Sequence, residues 1–249
     1  MKILGIIPAR YASTRFPGKP LTIINGKSMI QRVYEQALKA EMLNDVVVAT
    51  DDERIYNAVL SFGGKVVMTS SEHKSGTDRC AEVVKTINDK YEAVVNIQGD
   101  EPFINPEQIN QIASLISQKD SQIASLCKPI KDADELFDNN VVKVVFDIKG
   151  NALYFSRHTI PFMRNVENEA LSWMNSHTFY KHIGIYAYKT DVLEQISQLT
   201  QSELEMSESL EQLRWLENSY RIIMGITEYE SYSIDTPRDV EKCLKFFKD

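Results

Sequence analysis

A loop rich in cations follows the first apolar run of the chain. Residues 8–20 read PARYASTRFPGKP. The side chains of this loop that can bind an anion are those of Arg10, Ser13, Arg15 and Lys19. Such a loop can wrap a polyphosphate through charge-assisted hydrogen bonds. Its spacing fits neither the Walker loop G-x-x-x-x-G-K-[ST] nor the dinucleotide motif G-x-G-x-x-G. The loop therefore predicts an anion site of another type, and a solvated basic loop is the alternative.

Two aspartates elsewhere in the chain have the chemistry of metal ligands. Asp100 stands just after an apolar run, and the preceding Gly99 permits close approach of a ligand. Asp235 comes directly before Thr236 and Pro237. Mg²⁺ binds one or two protein carboxylates together with substrate phosphates, so a pair of aspartates suits it. A role in a turn or a helix cap is the alternative for each, and the sequence alone does not bring the two together.

Further polar residues lie in the second half of the chain, near predicted strand ends, on one predicted strand or on a predicted helix. They are Arg157, Arg164, His182, Tyr186, Glu211, Gln212 and Arg214. His182 and Tyr186 are four residues apart, so they share one face of a strand. For the helical residues, the alternative is that the leucines of the helix form its core stripe while its charges face solvent. The acidic run at residues 51–53 could suggest a D-x-D metal motif, but it is better explained as N-terminal charge on a helix.

Short β-branched runs alternate with amphipathic runs in the first half of the chain. Strands are predicted over residues 3–7, 46–49, 65–68 and 93–97. Helices are predicted after Ser28 and over residues 52–62, 77–88 and 106–116. This β-α-β-α order predicts an α/β fold whose mostly parallel sheet is covered on both faces. The basic loop and Asp100 then follow the carboxyl ends of strands, where open α/β sheets bind their ligands.

The pattern changes after about residue 120. A hairpin is predicted from residues 141–146 and 152–156, and single strands from residues 181–188 and 221–226. Helices are predicted over residues 191–199 and 207–218 and from residue 235 onward. No internal repeat or low-complexity linker separates these elements. The sequence therefore predicts one domain over residues 1–249, with a smaller antiparallel lobe at roughly residues 130–190.

Composition excludes several classes of protein. The 249 residues carry a formal net charge of −7, so the chain lacks the basic surface that binds nucleic acid or anionic membranes. Its 3 cysteines and 4 histidines form no zinc motif and no disulfide framework. No apolar run approaches the about 20 residues that span a bilayer. The apolar N-terminus is too short for a signal peptide, so we expect a cytoplasmic protein.

Taken together, these motifs resemble those of the 3-deoxy-manno-octulosonate (Kdo) cytidylyltransferase family, the CMP-Kdo synthetases. The resemblance covers essentially the whole chain, with no departure at the matching positions. The matching segments are IIPARYASTR (6–15), PGKP (17–20), SGTDR (75–79), NIQGDEP (96–102), YFSR (154–157), HIGIY (182–186), LEQLR (210–214) and DTP (235–237). The first is shared in looser form by other sugar-acid cytidylyltransferases, but the order and spacing of the whole set are specific.

The resemblance implies a Rossmann-like nucleotidyltransferase fold and a set of site residues. By analogy, the nucleotide is bound by Arg10, Ser13, Arg15, Lys19, Ser75, Arg79 and Gln98. The implied Mg²⁺ ligands are Asp100 and Asp235, which together with Lys19 form the expected catalytic group. The implied sugar-acid site consists of Gln98, Arg157, Arg164, His182, Tyr186, Glu211 and Gln212. Nothing is carried over for residues 166–179.

The resemblance also implies a reaction: CTP and Kdo give CMP-Kdo and pyrophosphate, a step toward lipopolysaccharide. The expected cofactor is Mg²⁺, and the expected assembly is a homodimer formed through the antiparallel lobe. No nucleic acid or membrane partner is expected. A related acceptor such as 8-amino-Kdo or sialic acid stays open, because the nucleotide-side motifs do not separate these sugar acids. A nucleotide-binding regulator with an inactive site is the alternative from another class, and the presence of both Asp100 and Asp235 speaks against it.

Overall fold

The computed structural model describes residues 1–12, 16–167 and 169–246 of the chain. Within those ranges the strands are β1 (Ile3–Ala9), β2 (Ile23–Ile24), β3 (Lys27–Ser28), β4 (Asp45–Thr50), β5 (Val66–Met68), β6 (Ala93–Asn96), β7 (Ile123–Pro129), β8 (Lys143–Phe146), β9 (Ala152–Ser156), β10 (Tyr180–Lys189) and β11 (Ile222–Ile226). The helices are α1 (Met29–Ala37), α2 (Glu53–Ser61), α3 (Gly76–Thr86), α4 (Pro106–Ile116), α5 (Ala133–Leu136), α6 (Ala170–Ser176), α7 (Thr190–Ile196), α8 (Glu203–Glu208), α9 (Glu211–Glu217) and α10 (Pro237–Phe246). A short 3-10 helix, Lys19–Leu21, follows the basic loop.

The main sheet has the strand order β11-β7-β10-β6-β1-β4-β5, and the hairpin of β8 and β9 joins it at β10. β1 lies parallel to both β4 and β6, β5 lies parallel to β4, and β11 lies parallel to β7. β10 runs antiparallel to both of its neighbours, β6 and β7. The predicted α/β fold, with a mostly parallel central sheet and antiparallel strands in the second half of the chain, is confirmed.

Helices cover both faces of the sheet, as a buried parallel sheet requires. The side chains of β1 alternate between two cores. Ile3 and Ile7 pack with α1, α2 and α4, whereas Leu4 and Ile6 pack with α3, α7 and α9 on the opposite face. Both faces of the central strands are therefore buried, and only the ends of these strands reach solvent. Among the helices of the described ranges, none is long and apolar enough to cross a membrane.

The sequence pattern does not predict β7, although this strand lies inside the sheet between β10 and β11. Ile123 is its one β-branched residue, and Ser125 and Cys127 occupy buried positions along it. Intrinsic β-propensity is therefore weak here. The strand forms because both of its faces are buried against neighbouring elements, an effect that the tertiary structure supplies.

The helix predicted over residues 207–218 is wrong as a single element, because α8 and α9 are separate helices. Between them, Ser209 has a left-handed backbone with φ of 53°, and Leu210 is extended. Arg157 binds the carbonyl groups exposed at this break. Its Nε donates to the carbonyl oxygen of Glu208 at 2.7 Å, and its Nη2 donates to that of Ser209 at 3.4 Å. A side chain distant in sequence thus satisfies backbone acceptors that a continuous helix would satisfy itself.

The region predicted as a lobe contains α5, β8, β9, α6 and β10. A small core separate from the two main ones is formed there by Ile130, Leu136, Trp173 and Phe179. The segment 166–179, which carried no prediction, supplies α6 to that core. β10 is shared, because its middle lies in the main sheet while its start pairs with β8. The division into one domain with a lobe at roughly residues 130–190 stays a prediction.

Candidate active site

Two adjoining cavities open at the carboxyl ends of β1 and β6. Their volumes are about 260 Å³ and about 830 Å³. Predicted site residues that line the first cavity are Arg10, Lys19, Ser75, Arg79, Gln98, Asp100 and Asp235. Gln98 and Asp100 line the second cavity too, so the cavities meet at the turn after β6. This edge of the sheet is the place where open α/β proteins bind ligands.

Asp100 and Asp235 lie on either side of the Lys19 ammonium group. Lys19 Nζ donates to Oδ2 of Asp100 at 2.7 Å and to Oδ1 of Asp235 at 3.4 Å. Both carboxylates thus reach a common point, which the sequence alone could not establish. Their hard oxygen donors suit Mg²⁺. The described residues hold no group of three or more His, Cys, Asp or Glu side chains that could bind a metal, so a Mg²⁺ ion at this pair would need substrate or water oxygens as well.

The backbone of the basic loop places Lys19 at this point. Gly18 adopts a left-handed conformation with φ of 70°, and its amide donates to the carbonyl oxygen of Tyr11 at 3.0 Å. A Cβ at Gly18 would lie 3.1 Å from the Tyr11 ring, so glycine suits this close approach. The 3-10 helix then begins at Lys19 itself. The predicted binding residues Ser13 and Arg15 lie outside the described residues.

Asp235 is positioned by the start of α10. The carboxylate of Asp239 accepts hydrogen bonds from the amide of Thr236 at 2.9 Å and from its hydroxyl at 2.8 Å. The predicted capping chemistry at this DTP motif is therefore present, but it is Asp239 that accepts these bonds. A backbone bond joins this region to the other aspartate, because the amide of Ile234 donates to the carbonyl oxygen of Asp100 at 2.9 Å. The two candidate ligands are thereby linked through the backbone.

Gly99 allows the turn after β6 to pass close to β1. A Cβ at this position would lie 2.6 Å from the carbonyl oxygen of Pro8, a distance that real Cβ atoms do not show. Any other residue would push the Asp100 turn away from the end of β1. The glycine in the Gln-Gly-Asp sequence is therefore a packing requirement of the site.

The amino end of α3 borders the first cavity. Ser75 and Asp78 form a capping box, in which Ser75 Oγ accepts from the Asp78 amide at 3.1 Å and the Asp78 carboxylate accepts from the Ser75 amide at 3.2 Å. Both Ser75 and Gly76 line the cavity. A helix amino terminus carries partial positive charge, which favours an anionic ligand nearby.

Arg79 lies on α3 with only 4% of its surface exposed. Its guanidinium binds the carboxylate of Asp51 at 2.9 Å and the hydroxyl of Thr69. Arg79 thus connects α3 to Asp51 and Thr69 at the wall of the first cavity. Its contact with a nucleotide stays a prediction. Asp52 caps α2 by accepting from the amide of Arg54 at 2.9 Å and Glu53 begins the helix, as expected for this acidic run, whereas Asp51 binds Arg79 instead.

Gln98 and His182 hold the irregular part of β10 next to the second cavity. The register between β10 and β7 shifts after Ile183, and Gln98 Nε2 donates to the carbonyl oxygen of Gly184 in this bulge at 2.9 Å. His182 Nε2 shares a hydrogen bond of 2.9 Å with Ser125 Oγ. Burial lowers the pKa of His182 to about 3, so the ring is neutral near pH 7.

A buried polar cluster, formed by Thr77, Asn96, Tyr186 and Glu211, lies beside His182. The rings of His182 and Tyr186 are 5.3 Å apart, which confirms that the two share a strand face. The hydroxyl of Tyr186 and Oδ1 of Asn96 are buried without a hydrogen-bond partner in the part of the chain that the structure describes. Thr77 donates to Glu211 at 3.1 Å, and burial raises the pKa of that carboxyl. Unsatisfied buried polar groups of this kind call for a ligand or water.

The remaining residues of the predicted sugar-acid set lie elsewhere. Of the predicted sugar-acid residues, which all lie in the described ranges, Gln98 and His182 line a cavity, and the other five line neither of the two: Arg157, Arg164, Tyr186, Glu211 and Gln212. Arg157 stabilises the break between α8 and α9, and Arg164 is exposed. Gln212 is buried on α9 next to Glu211. Roles of Arg157, Arg164 and Gln212 in substrate binding stay predictions.

The second cavity also has charged walls that the sequence did not predict. These are formed by Lys128, Lys181, Glu135 and Glu230, which are joined by ion pairs of 2.6–2.8 Å. One signal was available, because Lys128 and Lys181 are charged residues near the ends of strands whose other positions are mostly apolar. Their mutual contact was not visible, since it depends on the pairing of β7 with β10.

Comparisons with known proteins show the family to which the chain belongs. A family model described as "Cytidylyltransferase" matches residues 4–222. A curated protein of Parabacteroides distasonis, named 3-deoxy-manno-octulosonate cytidylyltransferase, is 58% identical over 99% of this chain and 98% of its own length. A protein of the same name from Bacteroides thetaiotaomicron is 57% identical over 100% of this chain and 99% of its own.

A solved structure is similar over the same extent. It is that of CMP:2-keto-3-deoxy-manno-octonic acid synthetase complexed with CTP, with a TM-score of 0.91 and 42% identity. The match covers 99% of this chain and 98% of the solved one. Through these similarities the chain belongs to the cytidylyltransferase family, within the group of the 3-deoxy-manno-octulosonate cytidylyltransferases.

Proposed function

We propose that this protein transfers the cytidylyl group of CTP to the anomeric hydroxyl of Kdo, giving CMP-Kdo and pyrophosphate. The observation that carries the proposal is the meeting of Lys19, Asp100 and Asp235 at one point of the sheet edge. Relatives with the same name match the whole chain, and the similar solved structure holds CTP. A lysine beside two carboxylates that could hold a metal ion suits a reaction in which both substrates are anions and negative charge develops on the leaving oxygen.

CTP fits the first cavity by charge. Arg10 and Lys19 supply cations there, and the amino end of α3 adds partial positive charge beside Ser75 and Gly76. We propose that these groups bind the triphosphate, with Ser13 and Arg15 of the same loop as further ligands. Arginine and lysine on the leaving pyrophosphate would stabilise the charge that develops during transfer.

The donor set at Asp100 and Asp235 fits Mg²⁺, which we propose as the cofactor. When bound there, the ion would neutralise phosphate charge and lower the pKa of the attacking hydroxyl. Lys19, which already reaches both carboxylates, would then donate to phosphate oxygens. The carboxylates themselves would fix the position of the reacting phosphate relative to the turn after β6.

The transfer forms one bond and breaks one. The anomeric oxygen of Kdo bonds to the α-phosphorus, the bond from that phosphorus to the pyrophosphate oxygen breaks, and the hydroxyl proton leaves to solvent. We assign no protein general base. His182 is neutral, and its Nε2 is already engaged with Ser125, so a role in orienting the substrate suits it better than proton abstraction.

We propose that Kdo binds beside Gln98, where the two cavities meet, with its polar groups directed toward the buried polar cluster. The unpartnered hydroxyl of Tyr186 and Oδ1 of Asn96 in the described part of the chain offer a donor and an acceptor that a polyhydroxylated sugar acid can satisfy. A site with unsatisfied buried groups discriminates against ligands that lack matching hydroxyls. The contributions of Arg157, Arg164, Glu211 and Gln212 belong to this proposal.

We propose in addition that the protein forms a homodimer and lies in the cytoplasm. The antiparallel lobe exposes large apolar side chains, with Phe162 70% and Leu171 67% exposed, as a surface for a second copy would. Cys80 and Cys127 are buried free thiols, in keeping with a reducing compartment.

The decisive experiment measures pyrophosphate release from CTP and Mg²⁺ with a panel of sugar acids. Kdo is expected to give the highest kcat/KM, ahead of 8-amino-Kdo and sialic acid, and replacing CTP with UTP should reduce release. Absence of release with every acid would overturn the enzyme assignment. Preference for another acid would retain the cytidylyl transfer and replace the acceptor.

A further inference from the structure

The segment that carries Asp235 has no regular secondary structure. Residues 227–236 connect β11 to α10 and form neither helix nor strand. Without a ladder of backbone bonds, their position relative to the sheet depends on individual contacts. One contact lies next to Asp235 itself, where the amide of Ile234 binds the carbonyl oxygen of Asp100. Further contacts lie earlier in the segment, at Glu230.

Glu230 bridges two lysines of the sheet. Its Oε2 accepts from Lys128 Nζ at 2.8 Å, and its Oε1 accepts from Lys181 Nζ at 2.7 Å. The lysine side chains are only 12% and 11% exposed, and Glu230 is 31% exposed. We call these three residues the Glu230 clamp. Each carboxylate oxygen has its own ammonium partner, so the group is held in one orientation.

The two lysines need this carboxylate. Lys128 on β7 and Lys181 on β10 lie directly opposite each other in an antiparallel pair, an arrangement in which like charges repel. Glu135 relieves part of the repulsion by accepting from Lys181 at 2.6 Å, but within the described ranges Lys128 pairs with no carboxylate other than Glu230. Removal of Glu230 would therefore leave shielded positive charge without compensation, which is costly.

The two lysines also affect the pKa of Glu230 itself. Burial would raise the pKa of this carboxyl, but its bonds to Lys128 and Lys181 outweigh burial and hold the pKa below its usual value. The group is therefore a carboxylate throughout the neutral range, and the clamp does not depend on a protonation change.

An exposed ion pair in the same segment provides a contrast. Glu228 lies 3.5 Å from Lys131, and both side chains are 74% exposed. Pairs of this kind contribute little, because solvent screens them and their side chains are mobile. Of these two glutamates of one short segment, Glu230 is joined to two shielded lysines of the sheet, whereas Glu228 has an exposed partner.

We propose that Glu230 is a positioning residue, which holds the 227–236 segment on β7 and β10 so that Asp235 stays within reach of Asp100. The effect reaches the site through Ser231, whose hydroxyl donates to the carboxylate of Glu101, the residue after Asp100. The inference rests on the proposed function, because it requires Asp100 and Asp235 to bind the metal ion. Residues that orient metal ligands from outside the coordination sphere commonly change metal affinity by about 10–100-fold when replaced.

The test measures metal affinity directly. Binding of Mn²⁺ to the full chain, in the presence of a CTP analogue with a methylene between its α- and β-phosphates, is followed by the loss of the free Mn²⁺ EPR signal, after subtraction of the loss that the analogue alone causes. Glu230→Gln should raise the Kd for Mn²⁺ by about tenfold. Glu228→Gln, the same change in the same segment, should stay within about twofold, because its pair is exposed.

Two further variants distinguish failure of the proposed metal site from failure of the positioning role alone. Asp235→Asn should weaken Mn²⁺ binding more than Glu230→Gln does. If Asp235→Asn binds Mn²⁺ as tightly as the wild type, the metal site of the proposed function fails, and this inference fails with it. If Asp235→Asn binds Mn²⁺ weakly and Glu230→Gln folds and binds Mn²⁺ with wild-type affinity, only the positioning role is overturned. This holds whether or not the melting temperature of Glu230→Gln is lower. Should Glu230→Gln not fold, Lys128→Gln takes its place, and unchanged Mn²⁺ affinity in that variant overturns the inference as well.

Discussion

The ammonium nitrogen of Lys19 lies 2.7 Å from Oδ2 of Asp100, although 81 residues separate the two in the sequence. The same nitrogen is 3.4 Å from the carboxylate of Asp235. One positive charge between two carboxylates offsets their mutual repulsion. The arrangement links the basic loop after β1 to the acidic turn after β6. The contribution of the Lys19 charge to the free energy of unfolding can therefore be measured by replacing this residue.

Replacing Lys19 by Met should destabilise the protein when divalent cations are absent. The two carboxylates would then lose the ammonium group that lies between them, at an expected cost of about 1 kcal/mol for these partly shielded groups. Millimolar Mg²⁺ should restore more of the free energy of unfolding in this variant than in the wild type, since the ion can take over the charge. Urea unfolding with EDTA or with Mg²⁺ gives both quantities.

The matched control for this prediction is Lys27→Met. Lys27 also binds a carboxylate, that of Glu35 at 2.7 Å, but the side chains are 46% and 37% exposed. Mg²⁺ should not change the stability difference between Lys27→Met and the wild type. Equal Mg²⁺ responses of Lys19→Met and wild type would contradict a shared cation position between Asp100 and Asp235.

Asp100→Ala and Asp235→Ala should each abolish pyrophosphate release while leaving the protein folded. Loss of a charge that clamps the reacting phosphate removes several kcal/mol of transition-state stabilisation, and about 4 kcal/mol corresponds to a roughly 10³-fold lower rate. Steady-state pyrophosphate release and thermal melting measure the two effects separately. Glu41→Gln, which alters an exposed carboxylate that lines neither cavity, should keep wild-type turnover. Near-wild-type turnover in either aspartate variant would remove that residue from the metal site.

Gly99→Ala should lower the stability of the protein. The added methyl would lie 2.6 Å from the carbonyl oxygen of Pro8, so the backbone at the end of β1 or at the Asp100 turn must move. Overpacking of this kind costs about 1–3 kcal/mol. Gly184→Ala is the control, because a Cβ there meets no atom of the described residues within 4 Å. Chemical denaturation compares the two variants, and equal stabilities would show that the approach of Gly99 to Pro8 is not tight.

The parts of the site that could be predicted from the sequence are those fixed by one strand and the turn after it. Asp100 follows a run of apolar residues that is buried on both faces, and the basic loop follows another such run, so their placement at the sheet edge required only the α/β pattern. The meeting of Asp235 with them depends on long-range contacts of residues 227–236, such as that between Ile234 and Asp100, which no local pattern encodes.

The second cavity could not be predicted for a related reason. Lys128 and Lys181 face each other only because β10 inserts antiparallel between β6 and β7, and a register shift near Ile183 changes the pairing of the later residues of β10. The periodicity of a sequence predicts which face of a strand a residue occupies. It does not predict which strand lies next to it, or an irregularity in the pairing. The break between α8 and α9 likewise depends on a distant partner, Arg157.

His182 should make the stability of the protein sensitive to acid. Burial lowers the pKa of its ring from 6.5 to about 3, so the unfolded chain binds a proton below pH 6.5 that the folded protein does not bind. The free energy of unfolding therefore falls as the pH decreases from 6.5 toward 3, by at most about 1.4 kcal/mol per pH unit for one proton. His182→Gln, which cannot take up that proton, should lose less stability over this range. Urea unfolding between pH 7.5 and 4.5 measures the slopes, and His177→Gln, a change at an exposed ring, should follow the wild type. Parallel curves for wild type and His182→Gln would mean that the ring can be protonated in the folded protein, which would reopen a proton-transfer role for His182 beside the second cavity.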